Sequence, residues 1–323
     1  MSTGKGNGGG EARRAGGHGL RGVRVPPAVM RLGARQLGRR CLNPALPWDV
    51  QRRRLDQLTG TAILPRGTDV ADEVIGGVRS DVVTVSAKGP SAARPTVVHF
   101  HGGGYCVGST RTTRSWAAHL SAAAGCRVIL PEYRLAPEHP YPAALDDART
   151  VIGALIAEEK AGSLVISGDS AGGGLALALL LSMRDEGLEL PAGCILLSPW
   201  LDLACDRRAT PELVRRDVLL TPEWLDACAR AYADGAAASD PLVSPLNAAH
   251  GGLPPLLVQA GTDEILAPDA ESLAASASGS GVDVTYTRWP RMWHDFALQP
   301  GMLAAADSAV AQAAWFVAKV AAG

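Results

Sequence analysis

A chain of 323 residues with 47% hydrophobic and 20% charged side chains carries enough apolar material for one sizeable core and lies in the ordinary globular range. Its formal net charge of −1 gives no global attraction to nucleic acid or to an anionic membrane, so the expected partner is small and neutral. The six cysteines, Cys41, Cys106, Cys126, Cys194, Cys205 and Cys228, form no C-x-x-C pair and follow no secretory apolar segment, which predicts reduced, mostly buried thiols in a cytoplasmic protein.

Residues 1–22 have too few apolar side chains to offset the entropy of ordering them and read as a disordered tail. From Arg24 to Arg54 arginine recurs against one acid, Asp49, and Val29, Met30, Leu37 and Cys41 share a helical face after Pro26-Pro27. This is expected to be a solvated cap helix; a basic amphipathic helix that meets lipid is the sharper alternative. Asp81–Ala87 alternates apolar and polar residues, and Thr96–Phe100 runs as a strand into His101-Gly102-Gly103-Gly104. Helical stretches at 112–124 and 143–158 alternate with strands at Arg127–Leu130 and Ser163–Ser167. After the second of these comes Gly168-Asp169-Ser170-Ala171-Gly172-Gly173, then an apolar helix from Gly174 to Met183. Its longest apolar run, Leu175–Leu181, falls short of the roughly 18 residues of a membrane span.

Strands follow at Cys194–Leu197, Leu256–Gln259 and Val282–Tyr286, and an alanine-rich helix at 303–320 ends the chain. Alternating strands and helices predict an α/β fold with a mostly parallel sheet covered on both faces. The interval Leu201–Asp240 holds prolines, aromatics and mixed charge but no strand, and is expected to be a helical insertion forming part of a lid.

A glycine-framed serine between a strand and a helix is a nucleophile elbow, with Ser170 at the turn. A serine hydroxyl needs a base and a group that orients it. Of the seven histidines, His294 alone lies in a loop after the last strand, at the sheet edge where ligands bind in open α/β sheets. The acid is expected in the loop after the previous strand, where Asp263, Glu264 and Asp269 all lie. Asp263 and Glu264 compete for the imidazole, and Asp269, just after Pro268, suits a helix cap. The triple-glycine loop has backbone free to turn amides toward a carbonyl oxygen, and His101 is expected to pin it. No Gly-Lys-Ser/Thr follows, so a phosphate cradle is disfavoured. Trp200, Trp224, Tyr105 and Trp293 are candidate pocket walls, and Cys106 beside the glycine loop is expected to be buried and inert.

HGGGY, EYRLAPEHPYPAALDD, SGDSAGG, LSPWLDL, DPLVSPL and the His294 loop together resemble the hormone-sensitive lipase-like family of α/β-hydrolases, the bacterial family IV carboxylesterases, from about Arg94 to Phe296. The resemblance implies an α/β-hydrolase fold with a helical cap, Ser170 as nucleophile, His294 as base, and the amides of Gly103, Gly104 and Ala171 as oxyanion hole. It also implies N-terminal cap helices and lead-in at 23–75, a cap insertion at 201–239, and a catalytic domain at 76–200 and 240–323. The family's usual Asp-Pro-Leu-x-Asp is absent here; aligning it without gaps puts its aspartate on Glu264, with Asp263 as the runner-up.

The expected activity is hydrolysis of short- to medium-chain esters through an acyl-enzyme, with no cofactor or metal, a small-molecule ester as partner, no stable membrane insertion, and room for a homodimer. An amidase or acyltransferase using the same residues is the nearer alternative. A ligand-binding protein, like the plant gibberellin receptors that resemble this family but lack the histidine, is the more distant one.

Overall fold

The structure, a computed structural model, describes residues 24–60, 62–86, 94–158, 161–204 and 210–321. The tail read at 1–22 and Cys205 lie outside the described residues. In chain order the elements are helices α1 (Pro27–Cys41) and α2 (Trp48–Thr59), strands β1 (Thr68–Ile75), β2 (Val78–Val85) and β3 (Thr96–Phe100), α3 (Thr110–Ala124), β4 (Arg127–Pro131) and α4 (Ala143–Glu158). Then come β5 (Leu164–Asp169), α5 (Ser170–Asp185), β6 (Gly193–Leu197), α6 (Pro211–Arg216), α7 (Pro222–Ala233), β7 (Leu256–Gly261), α8 (Ala267–Gly279), β8 (Val284–Trp289) and α9 (Ala304–Ala321).

The eight strands form one sheet in the order β1-β2-β4-β3-β5-β6-β7-β8. β1 and β2 form an antiparallel hairpin, and β2 also runs antiparallel to β4; every other pairing is parallel. The central strands β3, β5, β6 and β7 are buried at every residue, because helices cover both faces and leave no polar side to alternate with. Successive residues feed opposite cores: Val97 and Val165 pack with Trp116 of α3 and Phe316 of α9, while Val98 and Ile166 pack with Leu155 of α4 and Leu177 of α5.

The sheet begins earlier than the sequence reading placed it. β1 reads TDVADEVI, half-exposed and charged, so no apolar run announces it; it is held by the β2 ladder through a turn at Gly76-Gly77, both at positive φ. α5 starts at Ser170 rather than Gly174, and β8 lies two residues later than expected at its start. The 201–240 interval holds α6 and α7 and no strand among its described residues.

α1 buries Ala34, Gly38 and Cys41, while Val29, read as sharing one face with Met30, Leu37 and Cys41, is 57% exposed. The inner stripe is made of small residues because α1 approaches the 217–220 segment closely: a Cβ on Gly38 would collide with the Leu219 backbone oxygen. α2 is tied to both neighbours. Arg52 donates from Nε to the Cys106 carbonyl at 2.8 Å and from Nη2 to the Ala136 carbonyl at 2.8 Å, and Trp224 Nε1 of α7 donates to Gln51 Oε1 at 2.9 Å. The two N-terminal helices and α7 therefore close over the same end of the sheet. No described helix is long and apolar enough to cross a membrane.

Candidate active site

Ser170 stands where β5 ends and α5 begins, at φ 52°, a left-handed conformation that a serine adopts only when its surroundings enforce it. Gly172 is what permits the bend, since a Cβ there would strike the Phe100 backbone oxygen of β3. Ser170 Oγ lies 3.0 Å from His294 Nε2. Ala171 is the second residue of α5, within the first turn where helix amides have no intrahelical acceptor.

His294 follows β8 and Glu264 follows β7, so two loops from adjacent parallel strands meet at one sheet edge. Glu264 Oε2 faces His294 Nδ1 at 3.4 Å, long for a hydrogen bond and of the kind that tightens when substrate binds. Both residues are buried, His294 at 2% exposure and Glu264 at 0%. Burial pushes the Glu264 carboxyl above its ordinary value, opposed by His294. Burial acts to lower the His294 imidazole, but the carboxylates of Asp295 and Glu264 outweigh it and hold the ring well above its usual range.

The other two candidate acids are engaged elsewhere. Asp263 pairs through Oδ2 with Arg31 of α1 at 3.0 Å. Asp269 does not cap α8, which starts two residues before it; its Oδ2 accepts the amides of Leu201 at 2.9 Å and Asp202 at 3.1 Å, fixing the start of the segment that leads to α6.

Three residues that sequence reasoning passed over belong to the same constellation. Ser198, at φ 44° after β6, donates from Oγ to Glu264 Oε2 at 2.8 Å. Asp217, between α6 and α7, accepts the amide of Ile265 at 2.8 Å and so holds the loop that carries Glu264. Asp295, at φ 56°, brings Oδ2 to 3.1 Å from His294 Nε2, and burial raises its carboxyl to about 7. Ser198 and Asp295 sit inside or beside quoted motifs, but their contacts depend on left-handed backbone that no residue type announced.

The glycine loop is braced from below. Gly102 N donates to Asp169 Oδ1 at 3.0 Å, Tyr133 Oη donates to the His101 carbonyl at 2.6 Å, and the His101 ring stacks on Tyr133 with centroids 4.3 Å apart. His101 thus packs within the loop's support, and Gly103 and Gly104 turn through φ 119° and 62°. Above lies a cavity of about 380 Å³ whose lining includes Gly103, Ser170, His294 and Asp295. Of the four candidate wall aromatics, Trp224 lines it, whereas Tyr105, Trp200 and Trp293 are buried in the core. Cys106 is fully buried. Among the described residues no cluster of three or more His, Cys, Asp or Glu could hold a metal ion.

An imidazole that meets a hydroxyl at Nε2 and a carboxylate at Nδ1, beside a glycine loop and a helix N-terminus, is an arrangement able to activate a serine against a carbonyl carbon. Comparison with known proteins finds hydrolases and esterases. Residues 97–298 match the model of an α/β hydrolase fold family. An acetyl-hydrolase of Streptomyces hygroscopicus is 39% identical over 236 residues, covering 70% of this chain and 79% of that protein. An esterase of Acinetobacter venetianus is 36% identical over 244 residues, covering 75% of this chain and 79% of its own. The crystal structure of a hormone-sensitive lipase from a metagenome library superposes with a TM-score of 0.87 at 31% identity, covering 93% of this chain and 99% of that one.

Proposed function

Because the chain belongs to the α/β-hydrolase fold family, in its branch of hormone-sensitive lipase-like bacterial esterases, and is a carboxylic ester hydrolase, we propose that it works through an acyl-enzyme on Ser170. His294 takes the Ser170 proton as the oxygen attacks the ester carbonyl, and Glu264 orients the ring and balances the imidazolium. The amides of Gly103, Gly104 and Ala171 hold the tetrahedral oxyanion. His294 then passes the proton to the departing alcohol, and the same imidazole activates the water that releases the acid.

The observation that carries this reading is the 3.0 Å contact between Ser170 Oγ and His294 Nε2, made at the floor of the cavity. The strained serine supports it, since a left-handed φ at a residue with a side chain is tolerated where function needs the hydroxyl presented. The apolar lining, with Leu37, Leu42 and Leu55 from the N-terminal helices and the turn between them, supports an ester with a short- to medium-length acyl chain.

Ser170→Ala is expected to lower turnover of p-nitrophenyl butyrate by about 10⁴-fold or more while the circular dichroism spectrum and melting temperature stay close to those of the parent. Near-normal turnover by that variant sinks the assignment.

A further inference from the structure

The hydrolytic scheme above leaves Asp295 unused, although it lines the cavity beside His294. Asp295 directly follows His294, and its Oδ2 lies 3.1 Å from the same Nε2 nitrogen that meets Ser170. Its left-handed backbone and the bond from its amide to Ser198 Oγ, 3.3 Å, fix how the side chain leaves the loop, and the residue lines the cavity. Its second oxygen, Oδ1, is buried and has no hydrogen-bond partner. Four residues further on, Gln299 lines the same cavity, and its Oε1 is likewise buried and unpartnered. Much of the rest of the lining is apolar, so two acceptors without donors stand out chemically. A buried acceptor left unpaired carries a desolvation cost, which a ligand bringing a donor recovers.

We propose that Asp295 and Gln299 form a polar subsite for the alcohol portion of the substrate, selecting esters whose alcohol carries a hydroxyl or ammonium group on the carbon next to the one bonded to the ester oxygen. The proposal rests on the assignment of Ser170 and His294 above. His294 Nε2 must hand its proton to the departing oxygen, so that oxygen passes within hydrogen-bond reach of Nε2. A carboxylate 3.1 Å from the same nitrogen is then beside the departing group rather than beside the acyl chain. A donor on the adjacent carbon of the alcohol reaches it, and a cationic donor gains a charge-assisted bond. Burial raises this carboxyl above its ordinary value, and a cationic alcohol beside it draws it back toward the ionised form. An alcohol bearing a carboxylate meets repulsion at the same place. A site built to hydrogen-bond one group discriminates strongly against the isostere that lacks it, because its own polar atoms are then left unpaired.

The test compares kcat/KM within two isosteric pairs: 2-hydroxyethyl acetate against n-propyl acetate, and 2-(dimethylamino)ethyl acetate against 3-methylbutyl acetate. Each is measured with the parent protein, Asp295→Asn, Asp295→Gly and Gln299→Leu. Asparagine and glycine both tolerate the left-handed backbone at 295, so neither variant introduces new strain there. Because both esters of a pair use the same serine and histidine, a general effect on His294 cancels in the ratio. The parent is expected to favour the donor-bearing ester of each pair by about tenfold or more. Asp295→Asn loses the preference for the cationic ester and keeps part of that for the hydroxyl. Asp295→Gly brings both ratios near one, and Gln299→Leu lowers the hydroxyl ratio. Ratios within twofold of one in the parent, or unchanged in Asp295→Gly, overturn the subsite while leaving ester hydrolysis at Ser170 intact. Normal acetate turnover by Ser170→Ala overturns the underlying assignment instead.

Discussion

Asp263 and Glu264 are neighbours in the chain with opposite partners, and a single residue decides which carboxylate serves the imidazole. Glu264 is buried between His294 and Ser198, whereas Asp263 turns away to Arg31. We therefore expect Glu264→Gln to lower kcat by about 10³- to 10⁴-fold, the loss that follows when the orienting acid can no longer hold the tautomer. Asp263→Asn should cost less than tenfold in the same steady-state assay. Equal losses, or the reverse order, would transfer the role to Asp263. The sequence offered both acids on equal terms until the family pattern was aligned, because adjacency in a loop says nothing about which side chain turns inward. Ser170 and His294 were easier to read, since one follows the apolar run of β5 and the other the alternating valines and tyrosine that announce β8, and the carboxyl ends of parallel strands share one edge. Ser198, Asp217 and Asp295 were not readable. Each acts through a contact made by residues far apart in the chain or by a backbone angle that serine and aspartate rarely adopt.

At the scale of elements, α1 is more than a cover. Arg31 pairs with Asp263, donates from Nη2 to the Arg216 carbonyl of α6 at 2.6 Å, and from Nη1 to the Arg291 carbonyl at 3.3 Å. One guanidinium thus joins the N-terminal helix, the helical segment before α7 and the two loops that carry Glu264 and His294. The sequence showed the arginine excess but not this use of it, and the face it grouped, Val29 with Met30, Leu37 and Cys41, is not the buried stripe of Ala34, Gly38 and Cys41, because close helix approach selects small residues rather than large apolar ones. The planar fork, not the charge alone, makes three bonds in different directions. Arg31→Ala is expected to raise KM for p-nitrophenyl butyrate about three- to tenfold, with a smaller change in kcat. Arg31→Lys should recover little of the loss. Full recovery by lysine in that kinetic comparison would show that a point charge suffices.

Across the whole molecule, the proposed reacting groups lie at the sheet edge and the N-terminal helices with α7 lie over them, so on this proposal the room between them sets which esters fit. A cavity of about 380 Å³ is near the small end of the range for ligand pockets and must hold both the acyl chain and the alcohol. Its apolar part, including Leu37, Leu42, Leu55 and Trp224, stabilises each added methylene by about 0.8 kcal/mol while space remains, roughly a fourfold gain per carbon. Once the space is filled, a further carbon must either remain in water or push α1 and α2 outward against the Arg31 and Arg52 contacts. For p-nitrophenyl esters from acetyl to palmitoyl, kcat/KM is therefore expected to climb over the first few carbons, peak at short to medium chains, and fall steeply before the palmitoyl ester. A maximum at the long-chain end, measured below the concentration at which the ester aggregates, would mean that the helices over the site yield or that the chain leaves through the mouth, so that the cavity volume does not limit the substrate.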